Sequence, residues 1–185
     1  MPGRFFLAIP LPAEVRRRLS ARVASVGGVD EAVRWVPEEQ LHLTLKFLGD
    51  VTDDRLPDVA PALMDACQGA KPFPLDVMGF GSFPPARPPR VLWAGIEPAP
   101  SLELLQDKVE RAMAAVEFPV EGQPFRPHVT VGRVKRGRSA GRTAERLAGA
   151  EHHDTFVAER VELMESILHA TGARYAVRHT VTLAT

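Results

Sequence analysis

Apolar residues recur along this chain with two spacings, one typical of strands and one typical of helices. Alternating or continuous apolar runs predict strands at residues 4–10, 32–36, 40–47, 73–80 and 91–96, another within the segment FRPHVTVGRV, and closing strands near 156–168 and 174–183. Apolar side chains three or four residues apart predict helices from about residues 13 and 56, a third with its apolar face at residues 102–116, and a weaker one around 144–148. The order strand, helix, strand, helix, strand is therefore followed by the same order again.

A self-comparison makes this repetition concrete. Displacing the chain by 86 positions superposes His42 on His128 and Thr44 on Thr130. The same shift aligns five further identities, Arg4 with Arg90, Ala8 with Ala94, Pro12 with Pro98, Leu19 with Leu105 and Val23 with Val109. Any two strand–helix units share apolar spacing, but shared spacing does not predict the aligned His-x-Thr pairs. We therefore interpret residues 1–185 as a single bilobal domain that arose by internal duplication, with halves of about 1–88 and 89–185.

Composition narrows the class of protein. The 185 residues include 23 Lys and Arg against 23 Asp and Glu, so a polyanion would have to meet a local patch and not a global field. The only cysteine, Cys67, excludes an internal disulfide and a cysteine-based zinc site. No segment approaches the roughly 20 apolar residues of a membrane span, and the apolar N-terminal run is too short for a signal peptide. We expect a cytoplasmic protein that does not bind membranes.

Two of the four His-x-Thr sequences lie in alternating strands. Around the first, the odd positions from Leu41 to Phe47 are apolar, while Gln40, His42, Thr44 and Lys46 are polar. Because side chains alternate between the faces of a strand, His42 and Thr44 project together. His128 and Thr130 repeat the arrangement. The other copies, at His153 and His169, fall at a polar strand start and at a turn, and we interpret both as bystanders.

Paired histidines of this kind suit acid–base chemistry on a phosphate. An unperturbed pKa near 6.5 allows one imidazole to be neutral while the other is protonated, and threonine hydroxyls can donate to phosphate oxygens. A lone histidine would more often be a hydrogen-bonded residue on a polar sheet face. No carboxylate follows either motif at a metal-ligand position, and no G-x-S-x-G elbow is present, so neither a metal nor a cofactor is expected. The residues alone leave open which histidine is the acid.

The segments HLTLKFLG and FRPHVTVGRV resemble the signatures of the 2H phosphoesterase superfamily. The best match is its RNA 2′,3′-cyclic phosphodiesterases, also called 2′-5′ RNA ligases. The opening RFFLAIPLP, the FGSF…RVLWAGI hairpin and the closing SIL…GARY extend the resemblance over nearly the whole chain. It implies a bilobal α+β fold in which two antiparallel sheets face each other across a central cleft, with the helices outside. Exchange of the closing strands between the lobes stays open.

The resemblance also implies an activity, the hydrolysis of a terminal 2′,3′-cyclic phosphate on RNA to a 2′-phosphate. His42 would be the proton donor and His128 the proton acceptor, while Thr44 and Thr130 would hold the phosphate oxygens. The implied partners are RNA ends or nucleotides bearing the cyclic phosphate, and we expect a monomer. Three alternatives keep the same site: a small cyclic nucleotide such as ADP-ribose cyclic phosphate, reversible 2′-5′ ligation, or non-catalytic binding of RNA ends.

Two further residues are candidate substrate contacts. Lys46 shares the parity of His42 and Thr44, whereas Arg133 has the parity opposite to His128 unless a bulge at Gly132 re-aims the strand. Relatives often carry an arginine where Arg133 stands. The basic loop of residues 135–142 fits an RNA backbone and a solvated loop equally well. Phe47 and Trp93 could stack on a base, but their apolar pattern favours the core.

Overall fold

The computed structural model describes residues 2–85 and 88–184. Within this part of the chain there are nine strands: β1 (Gly3–Pro10), β2 (Val33–Trp35), β3 (His42–Val51), β4 (Phe73–Phe83), β5 (Val91–Ile96), β6 (His128–Val134), β7 (His153–Ala158), β8 (Arg160–His169) and β9 (Gly172–Thr182). The helices are α1 (Ala13–Gly27), α2 (Leu56–Cys67), α3 (Pro100–Ala115) and α4 (Gly141–Ala148). Residues 86 and 87 of the predicted proline-rich loop lie outside the described residues. The predicted elements are otherwise present with shifted ends, except that two strands take the place of the one predicted near residues 156–168.

The strands form one antiparallel sheet. Eight of them follow the order β7-β4-β5-β6-β3-β1-β8-β9, and β2 pairs with β6. We call β7-β4-β5-β6, together with β2, one arm of the sheet, and β3-β1-β8-β9 the other arm. The arms meet where β3 pairs with β6, through the single pair Leu43 and Val129. The predicted α+β class, with two antiparallel layers about a central cleft, is confirmed. The two predicted sheets are joined into one by that pair.

The arms do not coincide with the two halves of the sequence. Strand β8, from the C-terminal half, pairs with β1, and β4, from the N-terminal half, pairs with β5. The single strand predicted near residues 156–168 is wrong, because the chain leaves the sheet at Glu159. Its first part, β7, pairs with β4, and its second part, β8, joins the other arm. The chain thus crosses between the arms at Glu159, whereas the duplication itself stays a prediction.

The helices cover the outer faces of the arms. Helices α2 and α3 pack together near β3 and β9, while α1 and α4 pack together near β4 and β7. The predicted apolar face of α1, with Val15, Leu19 and Val23, is buried. The guanidinium of Arg18 reaches both carboxylate oxygens of Asp154, at 2.7 and 3.0 Å, and ties α1 to β7. Burial of these faces leaves the opposite side of the sheet free to form the cleft.

A β-bulge interrupts β3 directly after its His-x-Thr sequence. Pairing with β1 steps from Lys46 opposite Leu7 to Thr44 opposite Ala8, so that Leu45 is an extra residue. A bulge of this kind shifts the alternation of side chains by one position. At Lys46 and Phe47, the faces predicted from the sequence are therefore exchanged, and a second register shift follows at Leu48.

Strand β6 carries the matching bulge. Pairing with β5 steps from Gly132 opposite Leu92 to Thr130 opposite Trp93, which leaves Val131 as the extra residue. The extra residues Leu45 and Val131 are related by the 86-residue shift. Their partner strands are related by a shift of 85 residues, because Leu7 corresponds to Leu92 and Ala8 to Trp93. The aligned identities of Arg4 with Arg90 and of Ala8 with Ala94 are therefore not structural counterparts.

Gly132 serves packing and is not the bulge residue. A Cβ atom added there would lie 2.7 Å from Cγ1 of Val33 and 3.0 Å from Cε3 of Trp35. Such short distances would force β2 away from β6. The glycine therefore permits the close approach of β2, and the predicted bulge falls one residue earlier, at Val131.

Candidate active site

The four predicted catalytic residues flank the junction of the two arms. Leu43 and Val129, each fully buried, are the middle residues of the two His-x-Thr sequences. Because the strands are antiparallel, extending the pairing by one residue on each side sets His42 opposite Thr130 and Thr44 opposite His128. Thr44 and His128 also line the same cavity. The fold thus brings together two motifs that are far apart in the sequence.

Both imidazoles are oriented by the same local hydrogen bond. Nδ1 of His42 lies 2.6 Å from the carbonyl oxygen of Gln40, and Nδ1 of His128 lies 2.7 Å from that of Arg126. A carbonyl oxygen only accepts, so each Nδ1 donates its proton. The carbonyl therefore fixes the tautomer and leaves Nε2 of each ring as the reactive nitrogen.

The reactive nitrogens differ in their surroundings. Nε2 of His42 lies 2.9 Å from the hydroxyl oxygen of Thr44, which donates to it when the ring is neutral. The other ring, His128, makes its hydrogen bond through Nδ1. Nε2 of the first histidine is thus hydrogen-bonded to the threonine of its own motif, whereas the second histidine uses Nδ1 for its hydrogen bond.

Aromatic side chains that the sequence did not indicate hold both rings. Phe6 stacks on His42 at 4.8 Å between centroids, and Tyr175 meets the same ring edge-on at 5.5 Å. Phe83 meets His128 edge-on at 5.1 Å, with Trp93 at 6.4 Å. All four lie within the recognised segments RFFLAIPLP, FGSF…RVLWAGI and GARY, but the resemblance of those segments did not place them against the histidines. Since the aromatics come from strands distant in sequence, no local pattern could have assigned them to the histidines.

Burial among these rings sets the acid–base properties of the pair. Burial lowers the pKa of His42, the hydrogen bond to Gln40 opposes it, and the charges of Arg133 and His128 lower it further. Burial likewise lowers the pKa of His128, and Arg133 adds to that effect. Both rings are therefore neutral at a lower pH than a free imidazole would be. An anion placed between them would raise both pKa values again.

Arg133 lies close to both histidines, against the parity argument. The bulge at Val131 exchanges the faces beyond it, so that Arg133 turns to the side of His128. Its charge lowers the pKa of both histidines and opposes the burial that raises the pKa of Tyr175. An exposed guanidinium at this place is suited to an anionic group held between the rings.

Lys46 does not share the face of His42, because the bulge at Leu45 precedes it. Its ammonium is buried and lies 2.9 Å from a carboxylate oxygen of Glu110 on α3. It also donates to the carbonyl oxygen of Pro119, at 2.8 Å. The parity argument for Lys46 is therefore wrong, and its substrate contact stays a prediction. Its observed contacts anchor the segment after α3 to β3.

Phe47 occupies the face that the sequence assigned to Lys46. It is 62% exposed, and its ring lies 6.1 Å from that of Phe6, which stacks on His42. The expectation that Phe47 belongs to the core is wrong, because the bulge turns it outward. An exposed aromatic beside the reactive rings is a surface on which a base can stack.

Two cavities adjoin the histidines. One, of about 390 Å³, is lined by His128, Thr44, Phe47, Phe83 and Phe125. The other, of about 550 Å³, lies beside His42 and is lined by Gln40, Tyr175, Arg16, Arg160 and Arg174. The histidine pair thus lies between an aromatic cavity and one rich in guanidinium groups.

The remaining candidates lie elsewhere. Residues 135–139 of the basic loop are exposed, and no residue from 135 to 142 lines either of those two cavities. Arg142 lines a separate cavity with Asp30. His153 begins β7 and contacts Asp76, and His169 is exposed at the end of β8. The strands of both extra His-x-Thr copies, β7 and β8, pair with neither β3 nor β6.

Neither a metal cluster nor a membrane span is found in the part of the chain that the structure describes. In residues 2–85 and 88–184, no three His, Cys, Asp or Glu side chains gather as they would around a metal ion. Over the same ranges, no helix has the length and apolar character needed to cross a membrane.

The chain is similar in sequence to proteins that share one name. A family model described as the 2′-5′ RNA ligase superfamily matches residues 11–169. An RNA 2′,3′-cyclic phosphodiesterase of Methanothermobacter thermautotrophicus is 32% identical over 177 residues, which cover 95% of this chain and 96% of that protein. A protein of the same name from Thermus thermophilus is 35% identical over 181 residues, covering 94% and 87%.

Solved structures show the same architecture. A crystal structure of a Thermus thermophilus protein matches with a TM-score of 0.84 at 30% identity, covering 97% of each chain. Escherichia coli LigT complexed with 3′-AMP matches with a TM-score of 0.82 over the full length of both chains. At 24% identity, that second likeness supports the fold alone.

Proposed function

The chain belongs to the 2′-5′ RNA ligase superfamily, and from that premise we propose that it hydrolyses the terminal 2′,3′-cyclic phosphate of RNA to a 2′-phosphate. The observation that carries the proposal is the pair of imidazoles at the junction of the arms, each with its Nδ1 held by a carbonyl oxygen. Relatives at 32% and 35% identity bear the name of this activity.

His128 is the general base. Its lowered pKa keeps Nε2 unprotonated near neutral pH, and that nitrogen can accept a proton from water. The water oxygen then bonds to phosphorus as the bond from phosphorus to O3′ breaks. The hydrogen bond to the Arg126 carbonyl stabilises the imidazolium that results.

His42 is the general acid on the opposite side of phosphorus. It must be protonated at Nε2 to give O3′ a proton, although its pKa is lowered in the free protein. The negative charge of the bound phosphate raises that pKa and so arms the acid. The products are a 2′-phosphate and a 3′-hydroxyl, and the two histidines then return to their starting protonation states through solvent.

Thr44, Thr130 and Arg133 hold the phosphate oxygens. The threonine hydroxyls are short donors on the same strands as the histidines, and the guanidinium offers charge-assisted hydrogen bonds. Donors already in place for the developing charge stabilise the transition state more than the ground state. No step in this scheme uses a metal or a cofactor.

The first experiment incubates the purified protein with an RNA that ends in a 2′,3′-cyclic phosphate, with EDTA present. We expect a 2′-phosphate end, which phosphatase removes although it does not act on the cyclic phosphate, and which migrates with a synthetic 2′-phosphate standard and not with the 3′-phosphate isomer. His42→Ala and His128→Ala should each lower kcat by about 10²–10⁴-fold, the usual contribution of one proton transfer.

His169→Ala is the matched control, since it removes an exposed histidine from another His-x-Thr sequence. It should retain full activity. Saturable RNA binding without product would instead indicate a binding module, and activity abolished by EDTA and restored by a divalent metal would contradict the metal-free mechanism.

A further inference from the structure

Apart from His42, the residues that line the larger of the two cavities take no part in the proposed hydrolysis. Its floor comes from β1, β8 and β9, and its wall from the 3-10 turn Glu38–Gln40 and the start of α1. The side-chain amide of Gln40 donates to the carbonyl oxygen of Ala173, at 2.7 Å, and joins that turn to β9. Since the Gln40 carbonyl also orients His42, the cavity wall and the catalytic ring are held by one residue.

Three guanidinium groups line this cavity. Arg160 lies 3.0 Å from Glu162, so its charge is matched. Arg16 approaches only the Glu39 carbonyl oxygen, at 3.5 Å, and its buried Nε has no hydrogen-bond partner within the described ranges. Arg174 is exposed and forms no ion pair with any described residue. Among the described residues, Arg16 and Arg174 thus have no carboxylate within ion-pair distance, although Glu39 also lines the cavity.

The direction of the reaction determines which part of the substrate lies on this side. The bond that breaks joins phosphorus to O3′, and O3′ stays on the ribose. The ribose carbon that bears O3′ thus lies toward His42, while water enters on the side of His128. A cavity next to His42 is therefore placed for the body of the substrate and not for the attacking water.

We propose that the cavity lined by Arg16, Arg160 and Arg174 is a second phosphate subsite, which binds the phosphate on the 5′ oxygen of the ribose that carries the cyclic phosphate. This inference rests on the proposed function. Arginine forks bind phosphate oxygens in pairs, and unpaired guanidiniums need no other partner to be displaced first. Both an RNA chain and the diphosphate of ADP-ribose supply such a 5′ phosphate, whereas a cyclic mononucleotide lacks it.

The test compares a cyclic mononucleotide with a dinucleotide ending in the same cyclic nucleotide. In Arg16→Gln and Arg174→Gln, the ratio of kcat/KM for the dinucleotide to that for the mononucleotide should fall about tenfold, the loss expected for a charge-assisted contact. For binding of a labelled trinucleotide 2′-phosphate, the slope of log affinity against log salt should become shallower by about 0.7 for each lost contact. ADP-ribose cyclic phosphate, run in parallel, identifies which source of the 5′ phosphate is used better.

Arg17→Gln is the control, because Arg17 is exposed on the same helix and does not line the cavity. In this variant, the ratio of kcat/KM for the dinucleotide to that for the mononucleotide should equal the wild-type ratio. An equal loss on both substrates, an unchanged ratio in both variants, or a loss confined to Arg136→Gln in the basic loop would overturn the subsite. If the wild type turned over no substrate, the proposed function would fail, while the trinucleotide binding data would still decide the subsite. Arg174→Gln removes an exposed side chain, so its result does not depend on folding effects at Arg16.

Discussion

At the scale of single residues, the site uses the same device twice. The carbonyl oxygen two residues before each histidine accepts a hydrogen bond from Nδ1–H and leaves Nε2 as the reactive nitrogen. Arg133 then acts on both rings at once, because its charge lowers the pKa of each. Protonation of the two histidines is therefore disfavoured in the free protein and becomes more favourable when an anion binds between them.

The role of Arg133 predicts a pH effect. A positive neighbour disfavours the imidazolium, so Arg133→Gln should raise the pKa of both histidines. Both limbs of the profile of kcat/KM against pH should move to higher pH, in addition to an overall loss of activity from the missing phosphate contact. Arg34, which lies opposite Arg133 in the register of β2 and β6, offers the control Arg34→Gln. Limbs that stay in place in Arg133→Gln, or that move equally in Arg34→Gln, would contradict this role.

At the scale of secondary-structure elements, the two bulges decide which side chains face the cleft. They turn Phe47 and Arg133 toward the histidines and bury Lys46 beneath α3. The buried ammonium is matched by Glu110, whose carboxylate also accepts from the backbone N–H of Glu121. One ion pair thus fastens β3, α3 and the segment that borders the aromatic cavity.

The Lys46–Glu110 pair predicts a distinctive pattern of stabilities. Glu110→Ala leaves a buried ammonium unmatched and should lower the free energy of unfolding by about 3–5 kcal/mol. The double substitution Lys46→Met with Glu110→Met should recover most of that loss, since it removes both charges. Urea unfolding of the wild type and of each variant gives these free energies. Arg111→Ala breaks the exposed pair with Asp107 on the same helix and should cost only about 0.3–0.5 kcal/mol. A similar cost for Glu110→Ala and Arg111→Ala would show that the buried pair has no special weight.

At the scale of the whole molecule, the arms are joined by more than the Leu43–Val129 pair. Strands from each half of the sequence complete the other arm, and buried side chains from all the helices form one apolar core. Neither half of the sequence therefore contains a complete arm. The two histidines are kept at one place because the arms share this core.

This interdependence predicts a single unfolding transition. Trp35 and Trp93 both lie in the arm that contains β6, so their fluorescence reports on that arm, whereas far-UV circular dichroism reports on both. The two signals should give coincident urea curves, as expected for a cooperative domain of this size. Curves with separate midpoints would mean that the arms unfold independently, and substitutions in one arm would then leave the other folded.

Local patterns were enough to predict the helices, most strands and the shared strand face of each His-x-Thr pair. Alternation within a strand is a property of the backbone, so the shared face of His42 and Thr44 could be deduced without knowing the neighbouring strand. The 86-residue repeat then separated these pairs from the copies at His153 and His169. The resemblance of the surrounding segments supplied the fold class and the activity to be tested.

Features that depend on a partner strand could not be deduced in that way. A bulge arises from the register between two strands, and so the orientations of Lys46, Phe47 and Arg133 became known only from the pairing. The crossing at Glu159 and the aromatic rings against the histidines likewise depend on contacts between residues distant in the chain. Sequence spacing specifies which side chains share a strand face, but the packed neighbours specify where that face points and how strongly its histidines hold a proton.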